Sequence, residues 1–176
     1  MTVDAFKSFS KKQLILLNWW TDSSPYKNRD AIICDGSVRS GKTVCMFLSF
    51  IFWAFYMFSD SSFAVCGKTI TSLRRNIITP MLPMLRSLGF TYEELVSKNM
   101  IIIKKDGREN RFYIFGGKDE GSAALIQGMT LSGVMLDETA LMPRSFCEQA
   151  IARCSVDNSR LWFNCNPENP AHWFYT

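Results

Sequence analysis

The sequence predicts an α/β fold with a mainly parallel central sheet flanked by helices. Three observations carry this. Short apolar runs of strand length alternate with helical stretches. No internal repeat, low-complexity tract or Pro/Gly/Ser-rich linker divides the chain. Its 176 residues, 47% apolar and 14% aromatic, suffice for one packed core and are too few for two comfortable ones, so residues 1–176 are expected to form a single domain.

The elements follow in order. "AIICD" (31–35) reads as a buried strand leading into a glycine loop. Residues 44–58, "VCMFLSFIFWAFYMF", are apolar apart from Ser49, but fifteen residues fall short of the ~20 that a membrane-crossing helix needs. The stretch follows directly on Lys42 and Thr43, so a helix buried on nearly all sides is expected and no membrane contact. "SFAVCG" (62–67) is a second strand, and 70–89 a helix that Pro80 and Pro83 are predicted to kink or break. "MIIIKK" (100–105) and "RFYIFG" (111–116) flank the turn-like "DGREN" and predict an antiparallel hairpin. "LSGVMLDE" (131–138) is another buried strand, 143–154 a helix with proline at its start, and "RLWFNCNP" (160–167) a last strand ending in a polar loop. No closing helix follows it.

Bulk properties exclude several classes. A net charge of +4 permits contact with a polyanion but is far from a basic nucleic-acid arm. The six cysteines are scattered without a C-x-x-C and read as small buried hydrophobes of a reducing compartment. His172 has only the distant Cys165 for company, which argues against zinc.

Residues 36–43, "GSVRSGKT", satisfy G-x-x-x-x-G-K-[ST]. Gly36, Ser37, Val38, Arg39, Ser40 and Gly41 would turn backbone N–H groups onto phosphates, Lys42 would reach the β/γ oxygens, and the Thr43 hydroxyl would bind Mg²⁺. The following helix adds its positive N-terminal end. An ordinary glycine turn with a chance lysine is the alternative. The apolar strand before the loop and the long helix after it speak against that. The predicted core is therefore that of a P-loop NTPase of the RecA-like (ASCE) type.

"GVMLDE" ends a strand in two carboxylates. Asp137 suits a Mg²⁺-bound water, and Glu138 suits polarising the attacking water. A DE pair that merely caps a strand is the competing account, and the upstream phosphate loop favours the catalytic one. Adjacent Asp-Glu is common in ATPases that turn ATP into movement. Asn164 and Asn166, in "NCNP", admit two readings: a γ-phosphate sensor, or an Asn-Pro turn with ordinary Asx chemistry.

With these motifs in order, the sequence resembles the ATPase domain of the large terminase subunit of tailed bacteriophages, more narrowly its PBSX-like branch. The resemblance rests on "DGSVRSGKTVCMFLSF", "VCGKTITSLRRNIITPML", "FYIFGGKDEGSAALIQGMTLSGVMLDETALMPRSF", "RCSVDNSRLWFNCNPENPAHWF" and the leading "KKQLILLNWW", which span nearly the whole chain. It implies an ATP- and Mg²⁺-dependent motor that drives double-stranded DNA into a capsid. Implied partners are the DNA, the portal protein, the small terminase subunit and copies of itself in a ring, with a monomer in isolation. The implied location is the host cytoplasm, transiently at the capsid portal.

Carried over by position, 36–43 form the phosphate loop, Asp137 is the metal residue, Glu138 the catalytic glutamate, and Asn164 and Asn166 belong to the coupling motif. Arg39 stands where terminases often place an arginine, to stabilise transition-state charge or respond to the γ-phosphate; a solvated loop residue is the alternative. Arg74 and Arg75 face either a neighbour's nucleotide, DNA, or solvent. Gln13, Trp19 and Trp20 are candidates to border the adenine, and the two tryptophans are equally good core residues.

Two departures from the family pattern matter. Gln127-Gly128 stands where many terminases have Arg-Gly, and glutamine cannot neutralise developing negative charge as arginine does. Lys118 or another arginine is then expected in that role, unless activation in trans differs. The family's nuclease domain has no counterpart within these residues, so no DNA cleavage is expected of them. Two alternatives stay open: a nucleotide-binding fragment with little turnover alone, and a helicase-like or recombination ATPase.

Overall fold

A computed structural model describes residues 9–36, 41–118, 122–166 and 172–174. Its strands are β1 (Ala31–Asp35), β2 (Ser61–Gly67), β3 (Thr91–Leu95), β4 (Met100–Lys105), β5 (Arg108–Gly116), β6 (Gly133–Leu136) and β7 (Arg160–Cys165). They form one seven-stranded sheet in the order β1-β7-β6-β2-β5-β4-β3. The pairs β1–β7, β7–β6, β6–β2 and β2–β5 are parallel, and β5–β4 and β4–β3 antiparallel. The predicted mixed α/β architecture is thus observed.

Helices α1 (Lys11–Asn18), α2 (Lys42–Met57), α3 (Ile70–Leu73), α4 (Thr79–Ser87), α5 (Ala123–Ile126) and α6 (Arg144–Ala152) cover the sheet. Alternation along β2 sorts them into two layers. Phe63 and Val65 join the core of α1 to α4, while Ala64 and Cys66 join that of α5 and α6. The first core centres on α2, which is buried on most sides as its composition predicts. There Phe50, Trp53 and Trp162 pack with ring centroids 4.8–6.0 Å apart. Ser49, the polar interruption of the apolar run, accepts from the indole nitrogens of Trp20 and Trp162, both at 3.2 Å. Among the described residues no helix is long and apolar enough to cross a membrane.

The structure refines two expectations and adds one strand. The helix after β2 runs through Pro80. A π-turn over Arg74–Ile78 joins α3 to α4, and the Thr79 N–H bonds the Arg74 carbonyl five residues back. The wide turn lets the ladder change step where proline has no N–H to give. The hairpin turn is only Asp106-Gly107, both with positive φ (50° and 76°) as a tight two-residue turn requires, so "REN" belongs to β5. Finally, β3 was not anticipated. It is the outer strand of the sheet and carries two successive glutamates, Glu93 and Glu94.

Candidate nucleotide site

The parallel register aligns the C-terminal ends of β1, β7 and β6 side by side, with Asp35 opposite Cys165 and Leu136 opposite Phe163. Ligand sites of open α/β sheets form at such an edge. Each strand ends in a different polar group: β1 in the glycine loop, β6 in Asp137-Glu138, β7 in Asn164, Cys165 and Asn166.

Gly36 and Gly41 bracket the loop, both with positive φ (148° and 77°), which a side chain would strain. Ser37, Val38, Arg39 and Ser40 lie outside the described residues. Gly41 is also hemmed in by α1, since a Cβ there would stand 2.9 Å from the Gln13 amide nitrogen. Gln13 itself is the third residue of a capping box in which it and Ser10 satisfy each other's backbone N–H groups. The capping box thereby fixes the start of α1, with the Gln13 side chain against Gly41.

Lys42 opens α2 and turns its ammonium across the strand ends. It donates to the Gly36 carbonyl, to Asn166 Oδ1 at 2.9 Å and to the Cys165 carbonyl at 3.4 Å. Asn164 lies 121 residues after Thr43 and 27 after Asp137 in the chain. Its Nδ2 donates to Thr43 Oγ1 at 3.1 Å and to Asp137 Oδ1 at 2.5 Å. Its own Oδ1 is buried and finds no hydrogen-bond partner among the described residues. The predicted residues therefore meet as two hydrogen-bonded groups on neighbouring residues, Lys42 with Asn166 and Asn164 with Thr43 and Asp137.

Asp137 is 8% exposed, and its carboxyl is pushed up to about 6. Burial is the main cause, opposed by the Asn164 hydrogen bond, reinforced by the Glu138 charge and countered again by Lys42. Glu138 follows in the left-handed region (φ 51°, ψ 48°), which re-aims the chain after the strand. Thr139, which sequence reasoning did not single out, is fully buried beside it. Its hydroxyl lies 3.2 Å from the Leu136 carbonyl and 3.1 Å from the Asn164 carbonyl. A threonine after an acidic pair looks like any turn residue, so nothing in the sequence marks it.

Other expected site residues lie apart. Trp19 is a core residue, edge-on to Trp162 at 5.0 Å, and Trp20 lines a cleft with Phe52, Phe55 and Tyr56 towards the far end of α2. Neither lines the cleft beside Lys42. Arg74 is paired with Glu94 at 3.1 Å, Arg75 bonds its neighbour Asn76, and Gln127 and Lys118 are exposed. The cysteine thiols are buried or half-buried; that of Cys34, beneath the loop, is raised to about 12, chiefly by burial, and stays protonated. A cleft of ≈450 Å³ opens between α1 and β1 next to Lys42, lined by Gln13, Ile15, Leu16, Ile32 and Ile33.

The sequence pattern described as "Terminase large subunit, T4likevirus-type, N-terminal" matches residues 33–176. The chain is also similar to the large terminase of a thermophilic bacteriophage, at 53% identity and a TM-score of 0.92, over 96% of this chain and 42% of that one. A structure of that phage protein with ADP matches at 52% identity and a TM-score of 0.92, over 95% and 41%. Another with ATP-gamma-S matches at 50% identity and a TM-score of 0.89, over 96% and 40%. The chain thus spans about two fifths of the length of these solved relatives. A search of curated proteins returned no match.

Proposed function

The chain belongs to the N-terminal family of terminase large subunits, and from that premise we propose that residues 1–176 are an ATP-hydrolysing motor domain that drives double-stranded DNA into a capsid. The observation that carries this is the meeting of Lys42, Thr43, Asp137 and Asn164 at three adjacent strand ends, in front of the N-terminus of α2. ADP and ATP-gamma-S bound to the phage relative support a nucleotide as ligand.

In this reading Lys42 exchanges its carbonyl and amide partners for β/γ-phosphate oxygens, and residues 36–43 supply the surrounding N–H groups. Thr43 Oγ1 and Asp137 Oδ1 both lie within about 3 Å of one nitrogen, so two oxygen donors of the kind Mg²⁺ prefers already converge. Bound Mg²⁺ would neutralise charge developing on the phosphates. Glu138 orients the attacking water, and Asn164 and Asn166 pass the state of the site into β7. Arg39 is assigned transition-state charge stabilisation. The apolar walls of the α1–β1 cleft, with Gln13 at one end, suit a purine ring. By family, the partners are duplex DNA, the portal protein, the small subunit and further copies in a ring, and the site of action is the host cytoplasm and the capsid portal. The PBSX-like branch is the finer placement proposed, on the sequence motifs alone.

The test is steady-state ATP hydrolysis across a range of protein concentrations, beside Glu138→Gln. Turnover per molecule should climb with concentration, because neighbours complete the site, and should fall by about 10²-fold or more in the variant. The variant should still bind ATP. Hydrolysis at the parent rate in Glu138→Gln overturns the role of Glu138. A flat rate near zero with measurable ATP binding would leave a nucleotide-binding domain in place of a self-sufficient motor.

A further inference from the structure

We propose that Thr139 is a positioning residue for Glu138: its buried hydroxyl closes the gap between β6 and β7 and holds the acidic turn in the conformation that aims the glutamate. This rests on the hydrolytic reading of the site above.

The β6–β7 ladder ends at Leu136 and Phe163. Beyond it the chain of β6 turns away, and β7 runs on through Asn164 and Cys165. The Asn164 carbonyl, in a residue only 6% exposed, would lose its partner on the β6 side at this point. The Thr139 hydroxyl lies 3.1 Å from it and 3.2 Å from the Leu136 carbonyl. The single O–H proton is shared between the two carbonyls, so the side chain takes the place of the missing rung.

The turn so fastened is costly by itself. Glu138 has left-handed backbone angles that a residue with a side chain adopts only when its surroundings over-determine them. Besides the Thr139 hydroxyl, the bonds from the Leu141 N–H to the Glu138 carbonyl (2.8 Å) and from the Met142 N–H to the Thr139 carbonyl (3.1 Å) hold it. Thr139 also connects the two elements whose side chains meet at Asp137 and Asn164. It touches no reacting atom and acts only through Glu138 and β7.

Thr139→Val keeps the shape and removes the donor; Thr139→Ser keeps the donor and removes the methyl group. Two readouts separate aiming from bulk folding. In steady-state hydrolysis Thr139→Val should lower kcat about tenfold with KM unchanged, because the phosphate cradle is intact. Thr139→Ser should return kcat to near the parent value. In the Glu138→Gln background Thr139→Val should cost nothing further. In hydrogen exchange of the nucleotide-free chain, the Leu141 and Met142 amides should exchange about tenfold faster in Thr139→Val and at the parent rate in Thr139→Ser.

Parent-like exchange and kcat in Thr139→Val overturn the proposal, as does a loss in Thr139→Ser equal to that in Thr139→Val. Should Thr139→Val not fold, Thr139→Ala, which also lacks the donor, takes its place in both readouts beside Thr139→Ser. A parent chain without hydrolysis defeats the functional reading and leaves the exchange result to decide whether Thr139 holds the turn.

Discussion

Asp137→Asn should stabilise the ligand-free chain at neutral pH while abolishing its response to Mg²⁺ with ATP. Burial raises the Asp137 carboxyl from 3.8 to about 6, despite the hydrogen bond from Asn164. The native state therefore holds this proton more tightly than the unfolded chain does. The associated stability is fully present below about pH 4 and is lost as pH rises through about 6. Across that interval of about two pH units, at ~1.4 kcal/mol each, the ionised group costs about 3 kcal/mol at about pH 8. Asparagine keeps an Oδ1 that accepts from Asn164 Nδ2 and carries no charge to desolvate. Thermal melts in a chelator from about pH 4 to about pH 8 read the difference. The variant should match the parent near pH 4 and melt on the order of 5–10 °C higher at about pH 8, at roughly 2–4 °C per kcal/mol for a chain of this size. Added Mg²⁺ and ATP should raise the parent's melting point far more than the variant's. Parallel melting curves across the whole pH range would refute the burial argument. An equal gain from Mg²⁺ and ATP in both proteins would refute Asp137 as a cation ligand.

Three further outcomes are expected. Lys42→Ala should weaken ATP binding, read by calorimetry, by about 10²-fold or more, since the phosphate charge loses its closest cation; unchanged binding and hydrolysis would dismantle the site. Ser49→Ala should cost about 1–3 kcal/mol in urea unfolding, because the Trp162 indole N–H, 3.2 Å from the hydroxyl in the core, is left without its acceptor; a parent-like midpoint would show that the pocket admits another partner. Gly133→Ala places a Cβ 2.6 Å from the Trp53 ring and 3.0 Å from the Arg160 carbonyl, and should destabilise by roughly 1–3 kcal/mol through overpacking. A neutral or stabilising alanine would mean that the Trp53 ring shifts freely.

The parts of the fold legible in the sequence are those whose signal is local. β1, the glycine loop and α2 announce themselves by an apolar run, two glycines and a lysine at fixed spacing, and a helix too short to span a membrane. β3 escaped because an outer strand faces water and needs no apolar alternation: "TYEEL" carries its two glutamates side by side. Pro80 marked a disturbed helix but not the form of the disturbance: the π-turn before it relaxes the α spacing and the helix continues. The site was legible as a set of motifs but not as a contact. Asn164 supported a turn and a sensor equally well in the sequence, and only sheet order, with β7 between β1 and β6, brings its amide to Thr43 and Asp137. Trp19 and Trp20 were ambiguous for the same reason, since only packing against Trp162 and Tyr56 separates core from cleft.

That sheet order also bears on how a motor of this design would respond to its fuel. On the proposed assignments, the atoms that the nucleotide and its cation require are already hydrogen-bonded to β7 and to Asn166, the residue after it. Asn164 Nδ2 occupies Thr43 and Asp137, and Asn166 Oδ1 and the Cys165 carbonyl occupy Lys42. A cation between Thr43 and Asp137 cannot share their lone pairs fully with an N–H donor aimed at the same oxygens, and Lys42 has three protons to distribute. Ligand binding and β7 therefore compete for the same groups. Each change of ligand state must alter the hydrogen bonds of Asn164 and Asn166, and the orphaned Asn164 Oδ1 gives that amide a reason to reorient. Transmission from the site then needs no long pathway. It begins one hydrogen bond from the phosphates, in the strand through which Thr139 also ties the glutamate's turn to the rest of the sheet.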